Sequence, residues 1–504
     1  MAIMFKPALN HLIAIFAGIL LTLSFSPFDY YYCCFIAIAL FKLCLNNKKP
    51  QQSMMTGWLF GLGLFGSGVS WVYVSMMLGK HEFSILPFIM TLLFCSFWAL
   101  FPALFAYLYT KFQTNKLFDN WFFATFWVLV EYIKGEWVLN GFPWLQVAYS
   151  QIDTPLAGYI PLFGSYGAGF ITVLISALSI SVVQKKQFLS FVFMVGLFIV
   201  GSFLNQIEWV KRAGAPFKAT LIQGNIAQKD KWKVDNKNKT LKQYYDDTKE
   251  QWDADLIVWP ETAIPAYYAE VKDNYLLMLN AEAVKHNTAI VTSLPYRDEE
   301  QNLYNSVFVI GQGAGIYKKI HLLPFGEYLP WQPVSGYLLS YLDVRLGQFS
   351  RGEGEQSLLN VAGYQFVTSI CYEDAFGQLS IDQVKDAKFL VNVTNDGWFD
   401  GSIEPYQHMQ IARMRALEAG RYLLRATNTG VTAIVSERGR ILQAAPVAER
   451  TSISAMIQPL QGLTPYAKVG DKQTIWLVFL LFSLLLIYQT LLQRFLLVKN
   501  IKKV

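Results

Sequence analysis

Long apolar stretches dominate the first 205 residues and return once near the C-terminus. A helix that crosses a bilayer needs about 20 mostly apolar residues. The second stretch is short and the fifth contains charged residues, so the pattern predicts about eight membrane spans. These spans lie near Leu9–Ser26, Tyr31–Leu45, Met55–Met76, Ile85–Tyr109, Trp121–Val138, Leu156–Val183, Phe188–Leu204 and Gln473–Gln493.

The pattern changes between Phe217 and about Leu463, where charges become frequent and apolar runs shorten to strand length. Runs such as ATLIQGNI, DLIVWPE and AKFLVNVTND are continuously apolar, as expected of strands covered on both faces. Helical stretches are predicted over Thr240–Trp252, over Asn274–His286, and from Glu404 through EPYQHMQIARMRALEAGRYLLRATN. Strands that alternate with helices predict an α/β domain.

These patterns divide the chain into four parts. Residues 1–210 are predicted to form a helical membrane domain of about seven spans, and residues 217–463 an inserted α/β domain. Residues 473–497 form the last span and residues 498–504 a cytoplasmic tail. The composition agrees with a hybrid of membrane and soluble parts, because 53% of the residues are hydrophobic and only 15% are charged.

The formal net charge of +6 is largely a topology signal. Lysines and arginines concentrate in the short loops on the side of the N-terminus, which predicts that this side is cytoplasmic and that the α/β domain lies outside. Strongly basic stretches with interleaved aromatics are absent from the sequence, so no nucleic-acid partner is expected. The sequence also lacks a P-loop, a dinucleotide fingerprint and zinc-type spacing, so neither a metal nor an organic cofactor is expected.

A single cysteine, Cys371 in the stretch TSICYEDAF, lies in the predicted α/β domain. One cysteine cannot form an internal disulfide, and an unpaired thiol in an oxidising compartment indicates a reactive group. The alternative is a buried cysteine that acts as a small hydrophobic residue. The residue alone does not separate these two interpretations.

Three candidate groups follow predicted strands: Glu261 in LIVWPETAIP, Lys319 in YKKIHLLPFGEYLP, and Cys371. A desolvated carboxylate acts as a base, a fixed ammonium stabilises a developing negative charge, and a thiolate is a nucleophile. Taken singly, Glu261 is also compatible with a solvated turn and Lys319 with a snorkelling side chain. Together, each at a strand end, they predict a catalytic set.

The order Glu, Lys, Cys in WPETA, KIHLLPFGE and CYED resembles the nitrilase, or carbon–nitrogen hydrolase, superfamily. That resemblance implies an α-β-β-α sandwich. An outside domain placed after about seven spans and before a last one is similar to the apolipoprotein N-acyltransferase family, as are QGNIAQKDKW, GFPWLQVAYSQ and TNDGWF. The implied fold class is therefore a multi-pass α-helical membrane domain of about eight spans plus an α/β nitrilase-like sandwich.

The resemblance implies transfer of a fatty acyl chain from a membrane phospholipid to an apolipoprotein. The acceptor is the N-terminal α-amine of the S-diacylglyceryl cysteine, in the last step of lipoprotein maturation. Cys371 is expected to form a thioester in a ping-pong scheme, with Glu261 as the base and Lys319 as the oxyanion stabiliser. The expected setting is the bacterial inner membrane, with the catalytic domain on the periplasmic face and the protein a monomer.

The resemblance also implies supporting positions, at which side chains orient the catalytic set or contact substrate. These are Trp232, Glu327, Tyr372 and Glu373. We interpret Asp374 as a solvated turn residue. The apolar stretch Tyr328–Val344 is predicted to be a lid or membrane-dipping arm, with an ordinary buried excursion as the alternative.

Other classes of function use the same features. A membrane-tethered amidase that hydrolyses a small amide would need the same three residues but neither the spans nor the apolar arm. A transporter or scaffold with an external binding domain would not depend on Cys371. An acyltransferase of the same fold that acts on a different amine or a glycolipid is poorly separated by sequence.

Overall fold

The computed structural model describes residues 7–78, 85–113, 118–330 and 348–501. The chain divides into two compact units. A helical unit contains Met1–Ser70, Ile85–Ile207 and Val469–Val504, and an α/β unit contains Trp71–Ser84 and Glu208–Lys468. Most of the predicted arm Tyr328–Val344 lies outside the described residues.

The described residues form sixteen α-helices and fifteen strands. The helices are α1 Pro7–Thr22, α2 Tyr32–Leu45, α3 Pro50–Gly68, α4 Val72–Met77, α5 Ile85–Trp98, α6 Leu100–Phe112, α7 Asp119–Glu136, α8 Ile160–Lys185, α9 Phe188–Leu204, α10 Gln228–Lys231, α11 Val234–Lys249, α12 Tyr268–Val271, α13 Leu277–Lys285, α14 Gly377–Ile381, α15 Glu404–Ala419 and α16 Pro465–Ile501. The strands are β1 Lys211–Arg212, β2 Phe217–Gln223, β3 Leu256–Val258, β4 Ala289–Arg297, β5 Leu303–Gly311, β6 Gly313–Ala314, β7 Ile316–Lys318, β8 Leu359–Val361, β9 Tyr364–Ile370, β10 Phe389–Thr394, β11 Leu423–Thr427, β12 Ala433–Val435, β13 Ile441–Ala444, β14 Thr451–Ile457 and β15 Leu460–Gln461.

Apolar helices make up the helical unit. Within the described residues, three are long and apolar enough to cross a bilayer: Ile85–Phe112, Pro155–Gln184 and Pro465–Tyr488. Shorter apolar helices cover Ala8–Thr22, Tyr32–Leu45 and Phe188–Leu204. These helices are compatible with a membrane domain, and the count of eight spans stays a prediction.

The predicted third span, Met55–Met76, is not one helix. Helix α3 ends at Gly68, and the short helix α4 groups with the α/β unit. Within that unit, the Trp71 indole N–H donates to the side-chain oxygen of Gln407 over 3.1 Å, and its ring packs edge-on against Phe399. This packing accounts for the apolar residue at Trp71, whereas helix α4 itself contains no buried residue.

Strands β1 and β15 form a small two-stranded sheet, and the other strands of the α/β unit form two large sheets stacked face to face. One has seven strands in the order β13-β12-β11-β10-β9-β8-β6, and the other has six in the order β14-β2-β3-β4-β5-β7. Apolar side chains of both sheets form one core between them, including Leu221, Val258, Phe366 and Val391. Helices α11 to α13 pack on the six-stranded sheet and α14 and α15 on the seven-stranded one. The predicted α/β domain is thus confirmed, with four α-β-β-α layers.

Parallel strands lie at the centre of each sheet. Strands β2, β3 and β4 are parallel to one another, as are β9, β10 and β11. Along β2 and β3, Leu221 and Val258 face the core between the sheets while Ile222 and Ile257 face the helices. Covering both faces explains why these strands are continuously apolar in sequence.

The stretch after Glu404 was predicted to be helical as far as Asn428, and this is wrong in its second half. Helix α15 ends at Ala419, and Gly420 takes the left-handed conformation with a φ of 62°. A glycine in that conformation ends a helix without a steric penalty from Cβ. The LLRAT run that follows forms strand β11, which pairs in parallel with β10.

Candidate active site

The three candidate catalytic residues each follow the carboxyl end of a strand. Glu261 lies three residues after β3, Lys319 directly after β7, and Cys371 directly after β9. The glutamate and the lysine therefore come from the six-stranded sheet and the cysteine from the seven-stranded one. Cys371 is half-buried, and its φ of 53° is a left-handed conformation that non-glycine residues rarely adopt. Such backbone strain is concentrated at functional sites.

A chain of buried hydrogen bonds connects Glu261 to Lys319. The side-chain amide of Asn305 donates to Glu261 Oε1 over 2.7 Å and to Glu327 Oε1 over 3.0 Å. The Lys319 ammonium donates to both oxygens of Glu327, over 2.9 and 2.8 Å. All four side chains are buried, so their positions relative to one another are fixed.

The carboxylate of Glu373 ties the two sheets together at this point. Its donors are the backbone N–H groups of Ile320, His321 and Ile370 and the hydroxyl of Tyr317, at 2.7 to 2.9 Å. These donors flank Lys319 on one sheet and immediately precede Cys371 on the other. Burial raises the pKa of Glu373 to about 7, although Lys319 and the backbone donors oppose that rise.

Burial also shifts the reactive groups toward their neutral forms. Burial and the charge of Glu261 raise the pKa of the Cys371 thiol well above its usual value, against the opposing effect of Lys319. Burial and Glu327 likewise raise the pKa of Glu261. Burial lowers the pKa of Lys319, but Glu327 and Glu261 outweigh it and raise the pKa overall. The thiol is therefore protonated at rest, next to a carboxylate whose proton affinity is increased.

A second buried set of charges, the His408 cluster, contains Asp374, Asp396, Glu404, His408 and Arg425. His408 lies between two carboxylates, with Nδ1 2.9 Å from Asp396 and Nε2 2.8 Å from Asp374. Arg425 contacts the same two carboxylates, at 2.6 Å from Asp374 and 3.4 Å from Asp396. The interpretation of Asp374 as a solvated turn residue is wrong, because its side chain is 2% exposed.

The His408 cluster is arranged for ion pairing. Ligand atoms of Asp396, Glu404 and His408 lie within 4.8 Å of one another, which is close enough for a metal ion. However, both ring nitrogens of His408 face carboxylates, and Arg425 supplies a second positive charge. Burial and Arg425 lower the pKa of His408, but Asp374 and Asp396 outweigh them and raise it to about 10. A positively charged imidazole does not fit the role of a metal ligand.

The remaining predicted positions are in different surroundings. Trp232 is 52% exposed, so it does not lie in the core. Tyr372 is buried and packs edge-on against Phe376. Glu327 lies within the hydrogen-bonded chain described above. Residues 331–344 of the predicted lid lie outside the described residues.

Two buried polar residues of the site escaped sequence reasoning. Asn305, which links Glu261 and Glu327, is 5% exposed and lies within the apolar strand run NSVFVI. A lone amide in such a run was the available signal, and sequence reasoning did not use it. Lys231 is 3% exposed and donates to the backbone carbonyl of Glu261 over 3.0 Å. The charged stretch QKDKWK around Lys231 gave no sign of burial.

The sandwich, with a buried Glu and Lys and a half-buried Cys at its strand ends, defines a protein of the carbon–nitrogen hydrolase class. The family model described as carbon-nitrogen hydrolase matches residues 218–466. The model described as apolipoprotein N-acyltransferase N-terminal domain matches residues 17–178.

Relatives match over nearly the whole length. An apolipoprotein N-acyltransferase of Methylococcus capsulatus is 42% identical over 474 residues, covering 92% of this chain and 94% of the relative. One from Nitrosomonas europaea is 39% identical, covering 94% and 96%. Among solved structures, Saccharomyces cerevisiae Nit3 of the nitrilase superfamily aligns at 19% identity and a TM-score of 0.38, over 50% of this chain and 93% of its own. The chain belongs to the apolipoprotein N-acyltransferase family and is an acyltransferase.

Proposed function

We propose that the protein transfers a fatty acyl chain from a membrane phospholipid to the N-terminal α-amine of the S-diacylglyceryl cysteine of apolipoproteins. The names of its relatives support the acceptor. The observation that carries the proposal is a half-buried thiol whose charge interactions include both a buried carboxylate and a buried ammonium. That combination is suited to covalent acyl transfer through Cys371.

In the first step, Glu261 removes the Cys371 thiol proton as Sγ attacks the ester carbonyl carbon of the phospholipid. Lys319 and the backbone N–H of Tyr372 stabilise the oxyanion that forms. The carbon–oxygen bond then breaks, and Glu261 returns its proton to the leaving alkoxide. The products are a lysophospholipid and a thioester acyl-enzyme.

In the second step, the acceptor amine attacks the thioester carbonyl and Glu261 takes the amine proton. Collapse of the tetrahedral intermediate breaks the carbon–sulfur bond and forms the amide. The proton on Glu261 then passes to the departing sulfur, which restores the thiol. Splitting one difficult transfer into two easier ones is the advantage of a covalent intermediate.

The supporting residues take their proposed roles from their contacts. Glu327 holds the Lys319 ammonium through both carboxylate oxygens, and so fixes its direction. Glu373 holds the backbone on either side of the site. Trp232 is exposed, and we assign it a contact with substrate.

The proposed setting is the bacterial inner membrane with the catalytic unit on the periplasmic face. Apolar helices of spanning length and the distribution of lysine and arginine support it. Both proposed substrates are held in the membrane by acyl chains, so they reach a membrane-embedded enzyme by lateral diffusion in the bilayer. A thioester also hydrolyses if water reaches it, which favours an apolar, closed site.

Intact-protein mass spectrometry tests the proposal. The full-length protein is incubated with phospholipid and no acceptor, and its mass is measured before and after neutral hydroxylamine. A gain of one fatty acyl chain, removed by hydroxylamine, is expected in the wild type and in Cys95→Ser, a buried cysteine of the helical unit. The gain is expected to be absent in Cys371→Ser. A folded wild-type protein that gains no mass with several phospholipids would refute the proposal.

A further inference from the structure

Lys231 is a buried lysine inside an otherwise exposed charged segment. It ends helix α10 and is 3% exposed, whereas its neighbours Lys229, Trp232 and Lys233 are exposed. Lysine is almost never fully buried unless its charge is compensated. An ammonium placed here therefore needs a reason in its surroundings.

The surroundings of Lys231 are the candidate active site itself. Its Nζ donates to the main-chain carbonyl of Glu261 over 3.0 Å. Its charge interacts with the Glu261 carboxylate and with the Cys371 thiol. Lys231 thus approaches the proposed base from α10, an element that carries neither Lys319 nor Cys371.

The balance of charge in the site gives Lys231 a function. Lys319 is engaged by both oxygens of Glu327, so those two charges offset each other. When the thiol proton moves to Glu261, a negative charge moves onto the sulfur of Cys371 and needs a second compensating cation. Glu373 supplies no cation either, since it is a carboxylate that four neutral donors surround.

We propose that Lys231 is a positioning residue for acyl transfer, which fixes the backbone of Glu261 and balances the negative charge as it moves from that carboxylate to Cys371. This inference rests on the proposed function of the same site. Lys231 acts through Glu261 and through its field at the sulfur, and no bond to it forms or breaks.

The protonation of Lys231 gives the proposal a pH signature. Burial lowers the pKa of Lys231 to about 8, although Glu261 and Cys371 oppose that shift. The ammonium is present below that pH and is lost above it. Thioester formation should therefore decline as the pH rises through about 8.

The test compares thioester formation in single turnover by the full-length wild type, Lys231→Met, Lys231→Arg and the exposed control Lys229→Met. We expect Lys231→Met to slow the rate by about tenfold or more, less than the 10²–10³-fold loss of a direct oxyanion donor. Its KM for phospholipid should be unchanged. Lys231→Arg should recover part of the rate and remove the decline above pH 8, because arginine stays charged. Lys229→Met should behave as the wild type.

A second measurement separates failure of this inference from failure of the proposed function. The rate of Cys371 alkylation by iodoacetamide, followed by peptide mass spectrometry, reports the thiolate without any acyl transfer. We expect the midpoint of its pH dependence to be higher in Lys231→Met than in Lys229→Met. An unchanged midpoint together with an unchanged thioester rate would overturn the role of Lys231. Absence of the thioester from the wild type would overturn the proposed function alone. If Lys231→Met does not fold, Lys231→Gln takes its place in both measurements.

Discussion

The candidate active site and the His408 cluster are two buried sets of charges in one domain, and they differ in how their charges are satisfied. In the His408 cluster, His408 and Arg425 face Asp374 and Asp396, so opposite charges match. Burial and Asp396 raise the pKa of Glu404 well above its usual value, so it stays protonated. In the candidate active site, a half-buried thiol under backbone strain interacts with the charges of Glu261 and Lys319, which shift its pKa in opposite directions.

This difference shows that burial and a shifted pKa do not by themselves identify a reactive site. Residues of both sets are buried and have shifted pKa values, and the pKa shift of His408 is one of the larger ones in the described part of the chain. The distinguishing feature is a nucleophile with a base whose proton affinity has been increased. Variants of the two sets should therefore separate activity from stability.

The largest expected effect is on activity. Glu261→Gln keeps the size of the side chain but removes the base, so thioester formation should fall by about 10²- to 10⁴-fold. The melting temperature should stay close to that of the wild type. Single-turnover mass spectrometry measures the rate of thioester formation, and a thermal melt measures the melting temperature. A rate equal to that of the wild type would contradict the role of Glu261 as the base.

The next largest expected effect is on the stability of the protein and arises in the His408 cluster. Arg425→Met leaves Asp374 and Asp396 with His408 as their remaining cation, and breaking a buried pair costs about 3–5 kcal/mol of unfolding free energy. Denaturant unfolding measures this cost. The matched control is Arg450→Met, which breaks a largely exposed pair with Asp247 and should cost about 1 kcal/mol or less. Equal losses in the two variants would contradict the comparison.

A smaller effect concerns the pH dependence of stability. The pKa of His408 is about 10 in the folded protein, against about 6.5 in an unfolded chain. The folded state binds more protons in this window, so His408 stabilises fully below about pH 6.5 and its contribution is lost as the pH rises toward 10. We expect melting temperatures to fall less steeply across this window in His408→Asn than in the wild type. Parallel slopes would show that His408 is neutral in the folded protein.

The smallest expected stability effect is at Trp232. Because its side chain is 52% exposed, Trp232→Ala should change the unfolding free energy by no more than about 0.5 kcal/mol. If Trp232 contacts substrate, the variant should instead show a higher KM for phospholipid or acceptor. Steady-state kinetics with each substrate varied in turn measure this, and unchanged constants for both would exclude the contact.

Much of the site could be predicted because its groups follow strands that are evident in the sequence. Glu261 and Cys371 each follow a short apolar run and Lys319 follows the short strand β7, and strand ends are where a rigid scaffold presents functional groups. The same runs predicted the α/β domain, whereas the sandwich was implied by the resemblance to the nitrilase superfamily. The predicted helix from Glu404 to Asn428 was too long, because the sequence LLRAT is compatible with a helix or a strand. Only Gly420 marks the end of the helix.

The rest could not be predicted because it depends on contacts between distant parts of the chain. Asn305 meets a carboxylate 44 residues away, and Asp374 meets an arginine 51 residues away. Nothing near Lys231 or Asp374 in the sequence distinguishes a buried charge from a solvated one. Only the packing of two sheets and their helices determines which charges lose water.

The bridging carboxylate of Glu373 has a consequence for how the protein folds. Its partners Tyr317 and Ile370 belong to different sheets, and Tyr317 is 56 residues away from it along the chain. Closing loops of this length is slow, so contacts between the sheets form late compared with local helices. On refolding, helical structure should return first, and competence to form a thioester should appear only with the final docking of the sheets. Enzymatic activity is thus a kinetic marker for the last event in assembly of the domain.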